Sequence, residues 1–301
     1  MRRWMSRTLV GLGVLMAAAG AITTAGWGPG QQALAANYPE PLPMTDQVRG
    51  AVDAAPRPEH DPARPTAVVL IGAQGANAAD TLAPYETLAA SGKYNVYTAA
   101  PVRRPLPLTG GLDVVPDYTF EELARLPGDV DVVVVPALPD GMEPSSDPVR
   151  SFVAEQSAAG ATVVGVCVGV EVLAGAGLLD GRDATTHWAV IDRFERHFTT
   201  VTWKRGVRYV DEGKVVTTAG VLSGVDGALR VLERDFGESV AREAAAAVRW
   251  PHYHPGGAAT MPVSRLAPPD AVALLNLGYR DPARMGVLLT DGVGEIELAS
   301  A

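Results

Sequence analysis

The amino-acid sequence predicts an α/β protein in which a doubly wound parallel sheet lies between layers of helices. Short apolar strands alternate with amphipathic helices through most of the chain, and this alternation is typical of right-handed crossovers in a parallel sheet. Residues 130–135 are valines interrupted by a single aspartate, a composition typical of a central parallel strand. The chain has 301 residues, of which 47% are hydrophobic, and this is enough to form a packed core.

The predicted elements follow one another in a regular order. Ala67 to Ile71 is a continuous apolar run and indicates a buried first strand, and residues 211–213 form a tight turn between the last two strands. The predicted strands are 67–71, 94–98, 130–135, 161–166, 200–203, 207–210 and 214–218, and the predicted helices are 81–91, 119–125, 147–159, 168–176, 188–197 and 223–234. Ligands of such sheets bind at the carboxyl ends of the strands, so we expect the functional site at that edge.

Composition divides the chain into four segments, namely a targeting segment 1–36, a Pro-rich linker 37–65, the α/β domain 66–250 and a C-terminal extension 251–301. In the targeting segment, Arg2, Arg3 and Arg7 precede a long apolar run. This pattern indicates either a signal peptide cleaved near Ala33-Leu34-Ala35 or an uncleaved membrane anchor. Both alternatives place the body of the protein outside the cytoplasm, and the second attaches it to the membrane. The third alternative is a body that stays in the cytoplasm.

The segments on either side of the domain have less regular patterns. The linker contains seven prolines, which predicts an extended tether. The extension is rich in Pro and Gly and contains one predicted helix at 270–277, followed by a predicted strand at 285–289. Residues 285–300 resemble the opening of the domain, so we interpret them either as a truncated second repeat or as an extra edge strand.

Charge and cysteine content exclude several classes of function. The formal net charge of −9 argues against nucleic-acid binding, since phosphates are bound by basic surfaces. A single cysteine excludes intrachain disulfides and multi-cysteine metal sites. The sequence has no phosphate-binding loop and no dinucleotide fingerprint, and we expect no cofactor. We also expect no metal, because His252 and His254 lack a nearby third ligand.

The single cysteine, Cys167, lies between a predicted strand and a predicted helix. Such a turn raises one side chain at the carboxyl end of the strand, and Gly165 and Gly169 relieve crowding at the bend. The amino terminus of the next helix favours a thiolate, and the N–H groups of Val168 and Gly169 are suited to bind an oxyanion. We therefore interpret Cys167 as an exposed nucleophile at an elbow; the alternative is a small buried hydrophobic residue.

Several longer motifs resemble those of the ThiJ/PfpI superfamily, which has a class I glutamine-amidotransferase-like fold. These motifs are Cys167-Val168-Gly169, Leu173 to Arg182, Ala184-Thr185-Thr186-His187-Trp188, Val215 to Gly220 and Ser223-Gly224-Val225-Asp226. The branch most similar to this chain is shared by isonitrile hydratases and the amidotransferase-like domains of AraC-type regulators. The resemblance covers residues 66–250 and implies a flavodoxin-like sandwich, usually dimeric, with the elbow cysteine at the active site.

The resemblance also implies neighbours for the cysteine. The family supplies a carboxylic acid from the first strand–helix junction, and the matching residue is Asp80; by position alone, Asp80 could instead cap the helix. His187 matches a histidine that relatives bring near the cysteine, where it would orient substrate or move a proton, although a structural role is the alternative. Ala137 and Gly220 match loops that border the pocket.

Two positions depart from the pattern of the family. Val168 replaces the threonine or histidine that follows the cysteine in relatives, and Ala137-Leu138 replaces a Gly-Gly turn. Our first hypothesis is a cysteine-dependent hydratase or hydrolase that acts on a small carbon–nitrogen or carbonyl compound. The second is a non-catalytic module at the membrane, which binds a small ligand or senses oxidants through its thiol. The third is an accessory domain that complements a partner protein. We expect a small-molecule ligand or substrate and a homodimer.

Overall fold

A seven-stranded sheet forms the centre of the protein in the computed structural model, which describes residues 38–220, 222–256 and 260–261. In these residues the strands are β1 Thr66–Leu70, β2 Asn95–Ala100, β3 Leu106–Pro107, β4 Asp113–Val114, β5 Tyr118–Thr119, β6 Val130–Val135, β7 Thr162–Val166, β8 Asp183–Ala184, β9 Thr202–Trp203, β10 Tyr209–Asp211 and β11 Val215–Thr218. The helices are α1 Asp46–Ala54, α2 Ala78–Ala90, α3 Phe120–Leu123, α4 Asp147–Ala159, α5 Val170–Gly175, α6 Ile191–His197, α7 Ser223–Phe236 and α8 Glu238–Ala247.

The sheet has the strand order β10-β11-β7-β6-β1-β2-β5. Its strands pair in parallel, except that β10 pairs antiparallel with β11. Every residue of β1, β2, β7 and β11 is buried, which explains why these strands are continuous apolar or Thr-containing runs. The sheet is therefore covered on both faces.

Helices form a layer on each face of the sheet. Successive side chains of β1 point to opposite faces of the sheet and pack in two different hydrophobic clusters. Val68 belongs to one cluster and Val69 to the other. On one face, Phe152 of α4, Leu173 of α5 and Phe194 of α6 join the cluster of Val68. On the other face, the cluster of Val69 contains buried side chains of three helices, namely Leu88 of α2, Leu229 of α7 and Ala244 of α8. The predicted doubly wound sandwich is confirmed.

The predicted linker contains a helix and packs on the domain. Helix α1 begins after Thr45, whose hydroxyl oxygen accepts a hydrogen bond of 3.2 Å from the N–H of Val48. Nδ1 of His60 lies 3.0 Å from the hydroxyl of Tyr97. The prediction of an extended tether is therefore wrong for 46–54, because the prolines lie on either side of this stretch and leave it free to form a helix.

Three other elements differ from the prediction. Residues Thr202–Trp203, predicted as part of a strand of the main sheet, pair with Asp183–Ala184 in a separate two-stranded ribbon. Helix α8 was not predicted, although its Ala-rich sequence favours a helix. Cys167–Gly169 forms a 3-10 turn before α5 begins, where a continuous helix was predicted.

Several predictions lie outside the described residues. They concern the targeting segment 1–36, the helix 270–277 and the strand 285–289, including its interpretation as a repeat. Within the described part of the chain, no helix has the length and apolar character needed to cross a membrane.

Candidate functional site

Cys167 lies at the carboxyl end of β7 in a strained backbone conformation. Its φ angle is +57°, in the left-handed region that residues with a Cβ rarely adopt. This conformation costs roughly 1–2 kcal/mol in a non-glycine residue. Its side chain is buried, with 6% of the residue exposed. The strand, the 3-10 turn and α5 thus form the predicted elbow, but the thiol lies below the surface.

Two neighbours hold the elbow in place. The hydroxyl of Thr186 donates a hydrogen bond of 2.7 Å to the carbonyl oxygen of Cys167. Gly220, which follows β11 and has a φ angle of +68°, lies directly against the cysteine, because a Cβ added there would be 2.6 Å from Sγ. The predicted pocket residue Gly220 is therefore in contact with the thiol.

Gly169 allows the elbow to approach the next strand closely. A Cβ at this position would lie 2.3 Å from the carbonyl oxygen of Val135 and 2.4 Å from that of Pro136. No side chain fits in this space. The glycine is therefore required for the packing of the turn against the carboxyl end of β6.

Asp80 lies in the first turn of α2 and faces the cysteine. The cap of this helix is Asn77, whose side-chain oxygen accepts a hydrogen bond of 3.1 Å from the N–H of Asp80. Asp80 is completely buried, and its Oδ2 accepts a hydrogen bond of 3.3 Å from the N–H of Ala137. Its Oδ1 has no hydrogen-bonding partner among the described residues. The capping role is thus excluded, and Asp80 is a buried carboxyl group beside Cys167.

Burial controls the protonation of this pair. It raises the pKa of Asp80 to about 8, although the Ala137 N–H and the thiol of Cys167 lower it in part. Burial, followed by the charge of Asp80, raises the pKa of Cys167 well above 9.0, and the N–H of Val168 opposes this shift. We expected the helix terminus to favour the thiolate and therefore to lower the pKa of Cys167. The pKa is raised instead, because the effect of burial outweighs that of the backbone N–H groups. Asp80 therefore loses its proton before Cys167 does.

The other predicted site residues have separate positions. Ala137 binds Asp80 through its N–H, and its carbonyl oxygen accepts a hydrogen bond of 2.9 Å from the N–H of Asn77. Val168 is half-buried, and its N–H is directed to the thiol. The Nδ1 of His187 accepts a hydrogen bond of 3.3 Å from the N–H of Ala189, in its own turn. Burial lowers the pKa of His187. The described contacts link Ala137 and Val168 to the pair, whereas no hydrogen bond recorded for the described residues joins His187 to it.

Two acidic or phenolic residues, Tyr38 and Asp140, were not predicted from the sequence as candidate site residues. Tyr38 precedes α1 and is partly buried. Burial and, to a smaller extent, the negative charges of Asp80, Cys167 and Asp140 raise the pKa of Tyr38. Asp140 accepts a hydrogen bond of 2.5 Å from the hydroxyl of Ser145 through Oδ2. Asp140 follows the Ala137-Leu138 departure, which was a signal in the sequence; Tyr38 had none, because it precedes a Pro-rich stretch.

Metal ligation has no support in the described part of the chain. No group of three or more His, Cys, Asp or Glu residues there could hold a metal ion. His252 and His254 are exposed, and the ring of His252 packs edge-on against Trp250 with 5.2 Å between centroids.

Comparisons with known proteins give one consistent result. The pattern of the DJ-1/PfpI family matches residues 66–234. An isonitrile hydratase of Pseudomonas putida is 32% identical over 165 residues, which are 54% of this chain and 69% of that protein. The HTH-type transcriptional regulator CdhR of Pseudomonas aeruginosa is 31% identical over 140 residues, which are 46% of this chain but only 39% of the regulator.

A similarity to solved structures supports the same fold. The crystal structure of a THiJ/PfpI family protein from Pseudomonas syringae has a TM-score of 0.56 and 24% sequence identity. The match covers 69% of this chain and 89% of that one.

Proposed function

The chain belongs to the DJ-1/PfpI family, and on this premise we propose that it catalyses cysteine-dependent hydration or hydrolysis of a small carbon–nitrogen or carbonyl compound. The observation that carries the proposal is the pair of Cys167 and Asp80. The thiol is held in a left-handed backbone conformation beside a completely buried carboxyl group. A stable fold alone gains nothing from a strained cysteine, since a glycine adopts this conformation without the same cost. The similarity to an isonitrile hydratase supports this class of substrate.

In the proposed reaction, Asp80 moves protons and Cys167 forms the covalent bond. A pKa of about 8 leaves roughly a tenth of the Asp80 side chains ionised at pH 7, so the group is suited to exchange protons near neutrality. The carboxylate accepts the thiol proton as Sγ attacks the electrophilic carbon. An amide then loses its amine, which takes the proton from Asp80, and a thioester remains, whereas an isonitrile gives a thioimidate. Water cleaves either intermediate and the thiol is restored.

For an isonitrile, the atoms balance as follows. Sγ bonds to the terminal carbon, and the proton held by Asp80 passes to the same carbon. Water then adds across the carbon–nitrogen double bond, with its oxygen on that carbon and one of its protons on nitrogen, and the carbon–sulfur bond breaks as the second proton of water returns to sulfur. One water molecule has been added, and the product is a formamide. The N–H of Val168 lies at the sulfur and can stabilise charge that develops there.

The test compares three variants on a panel of isonitriles, amides and α-oxoaldehydes. Cys167→Ala should abolish turnover, and Asp80→Asn should lower kcat by about 100-fold or more, since positioned acid–base groups contribute on that scale. Asp117→Asn is the matched control, because Asp117 is also a carboxyl group with a pKa raised by burial, but it binds the N–H and hydroxyl of Thr98. Turnover that persists in Cys167→Ala would refute the proposal.

Burial of the thiol favours a second candidate function, a module that binds a small ligand without turnover. A cysteine with a raised pKa is a poor nucleophile until its proton is removed, and Val168 has no side-chain hydrogen-bonding group. In this case the wild type and Cys167→Ala should bind the same compound with similar affinity in calorimetry, and neither should release product. Mild peroxide should also leave Cys167 unmodified in mass spectra, whereas formation of sulfenic or sulfinic acid would support the redox-sensing version.

We further propose that the protein is exported and that residues 1–36 direct this export. The basic residues before a long apolar run support this location. Protease treatment of intact cells should degrade the protein if it lies outside the cytoplasm. Amino-terminal sequencing of the mature chain would distinguish a cleaved signal peptide from a retained anchor. The homodimer stays a prediction, and sedimentation of the purified protein would test it.

A further inference from the structure

Arg208 lies at the same edge of the sheet as Cys167. It directly precedes β10, whose first residue, Tyr209, pairs with Thr218 of β11. Thr218 in turn pairs with Val166, the last residue of β7 before Cys167. The start of β10, the end of β11 and the elbow are therefore neighbours across three strands.

Arg208 binds the chain on both sides of Gly220. Its carbonyl oxygen accepts a hydrogen bond of 2.8 Å from the N–H of Ala219, which precedes Gly220. Its side chain donates a hydrogen bond of 2.7 Å to Oδ2 of Asp226, which follows Gly220 in the first turn of α7. One residue thus fixes both the backbone before Gly220 and the helix after it.

Gly220 covers the thiol from the side of β11. A Cβ added to it would lie 2.4 Å from Cβ and 2.6 Å from Sγ of Cys167, so the glycine backbone lies directly against the cysteine side chain. Its φ angle of +68° is one that glycine adopts readily and other residues do not. A displacement of Gly220 would therefore uncover the sulfur.

The ion pair between Arg208 and Asp226 is buried and has a further partner. Asp226 is 4% exposed, and its Oδ1 accepts a hydrogen bond of 3.0 Å from Nε1 of Trp250. The guanidinium group of Arg208 lies 5.4 Å from the centre of the Trp250 ring, within the range of a cation–π interaction. Because both carboxylate oxygens are bound, this network favours one geometry, whereas the loss of Arg208 would leave an uncompensated buried charge.

We propose that Arg208 is a positioning residue, which holds Gly220 against Cys167 and thereby restricts the access of water and reagents to the thiol. Asp226 and Trp250 fix the side chain of Arg208, and Trp250 follows the family-matched region 66–234. The chain beyond that region therefore contributes to the shape of the site. The inference rests on the proposed function only in that the substrate is expected to react at Cys167.

The experiment measures the rate at which iodoacetamide alkylates Cys167, the protein's single thiol. Arg208→Ala removes the bond to Asp226 and should accelerate alkylation by about tenfold or more, the factor that a loss of ~1.4 kcal/mol of local opening free energy produces. Asp226→Asn keeps the shape of the side chain and should accelerate alkylation by about threefold or more, because a neutral acceptor binds a guanidinium group less strongly than a carboxylate does.

Arg230→Ala is the matched control. Arg230 also joins α7 to β10, through a hydrogen bond of 2.7 Å to Oδ2 of Asp211, and its side chain is 24% exposed where that of Arg208 is 21% exposed. Asp211 pairs with Val216, on the side of β11 away from Gly220. Loss of Arg230 should therefore weaken the packing of α7 without displacing Gly220, and the alkylation rate should stay near that of the wild type. Thermal melting of each variant identifies any that does not fold.

The pH dependence of alkylation separates a change in packing from a change in charge. Burial and the charge of Asp80 raise the pKa of Cys167 in the wild type. Loss of the positive charge of Arg208 would by itself raise this pKa further, since a cation stabilises a nearby thiolate. Withdrawal of Gly220 would instead admit water and lower the pKa of Cys167, so the pH profile of Arg208→Ala should shift to lower pH.

Three results would overturn the proposal. They are an unchanged alkylation rate in folded Arg208→Ala, an equal acceleration in Arg230→Ala, and a pH profile of Arg208→Ala that is unchanged or shifted to higher pH. If Arg208→Ala does not fold, an unchanged rate in Asp226→Asn overturns the proposal equally. Because alkylation requires no turnover, a failure of this inference leaves the catalytic proposal intact, and a catalytically inactive protein can still confirm the role of Arg208.

Discussion

Asp80→Asn should remove a large pH dependence from the stability of the protein. Burial raises the pKa of Asp80 from its ordinary value of 3.8 to about 8 in the folded protein. Between these two values the folded state keeps a proton that the unfolded state has released. The wild type therefore has its full stability below the unfolded pKa and loses stability as the pH rises towards the folded pKa. Asparagine cannot ionise and shows no such loss.

The magnitude follows from the size of the pKa shift. One pKa unit corresponds to about 1.4 kcal/mol, so between pH 5 and pH 7 the wild type should lose about 3 kcal/mol relative to Asp80→Asn. Cys167 does not interfere in this range, because its pKa is raised well above 9.0. Other buried carboxyl groups titrate equally in both proteins and cancel in the difference.

The measurement is urea unfolding of both proteins at pH 5, 6 and 7, with the free energy of unfolding extrapolated to water. Asp53→Asn, at an exposed position of α1, controls for the substitution itself. If the difference between the wild type and Asp80→Asn is also constant across this range, Asp80 ionises normally and the account of the site is wrong.

Three further predictions concern the elbow. Gly169→Ala should destabilise the protein by about 3 kcal/mol or more, because its Cβ would lie 2.3 Å from a carbonyl oxygen, whereas Gly50→Ala, in open space on α1, should stabilise it by roughly 0.5–1 kcal/mol; similar effects of both in urea unfolding would contradict the packing described. The rate of alkylation of Cys167 by iodoacetamide should still rise with pH above 9.0, and Asp80→Asn should shift this profile to lower pH; a plateau below neutrality would show a depressed pKa instead. Thr186→Val should cost about 1–3 kcal/mol by leaving the carbonyl oxygen of Cys167 without its donor, while Thr186→Ser should retain most of the stability; equal losses in the two variants would assign the effect to packing.

The sheet was predictable because its strands are buried on both faces. A strand of this kind has no polar face, so most of β1 and residues 132–135 of β6 are apolar runs that can be found without knowledge of their neighbours. Helix α1 was missed for the opposite reason, since it lies between prolines and is joined to the domain by contacts with distant residues, such as the hydrogen bonds from Arg103 to the carbonyl oxygens of Val52 and Ala55. Contacts with residues far away in the sequence cannot be predicted from the local composition.

Two members of the site, Cys167 and Asp80, were indicated by the sequence, but their electrostatics were not. The Gly-X-Cys-X-Gly spacing indicated the elbow, and the resemblance to the ThiJ/PfpI superfamily indicated Asp80. The direction of the Cys167 pKa shift depends on how completely the side chains are enclosed, and this is a property of packing.

The docked segment has a practical consequence for work on the isolated domain. The family match begins at residue 66, and a fragment that starts there would lack Tyr38, α1 and the groups that Arg103 and Arg104 bind. Such a fragment would leave the guanidinium N–H groups of Arg103 and Arg104 without the carbonyl oxygens of Val52, Ala55 and Leu42. Stability data obtained with it would then describe a loop after β2 that lacks these anchors of the longer polypeptide.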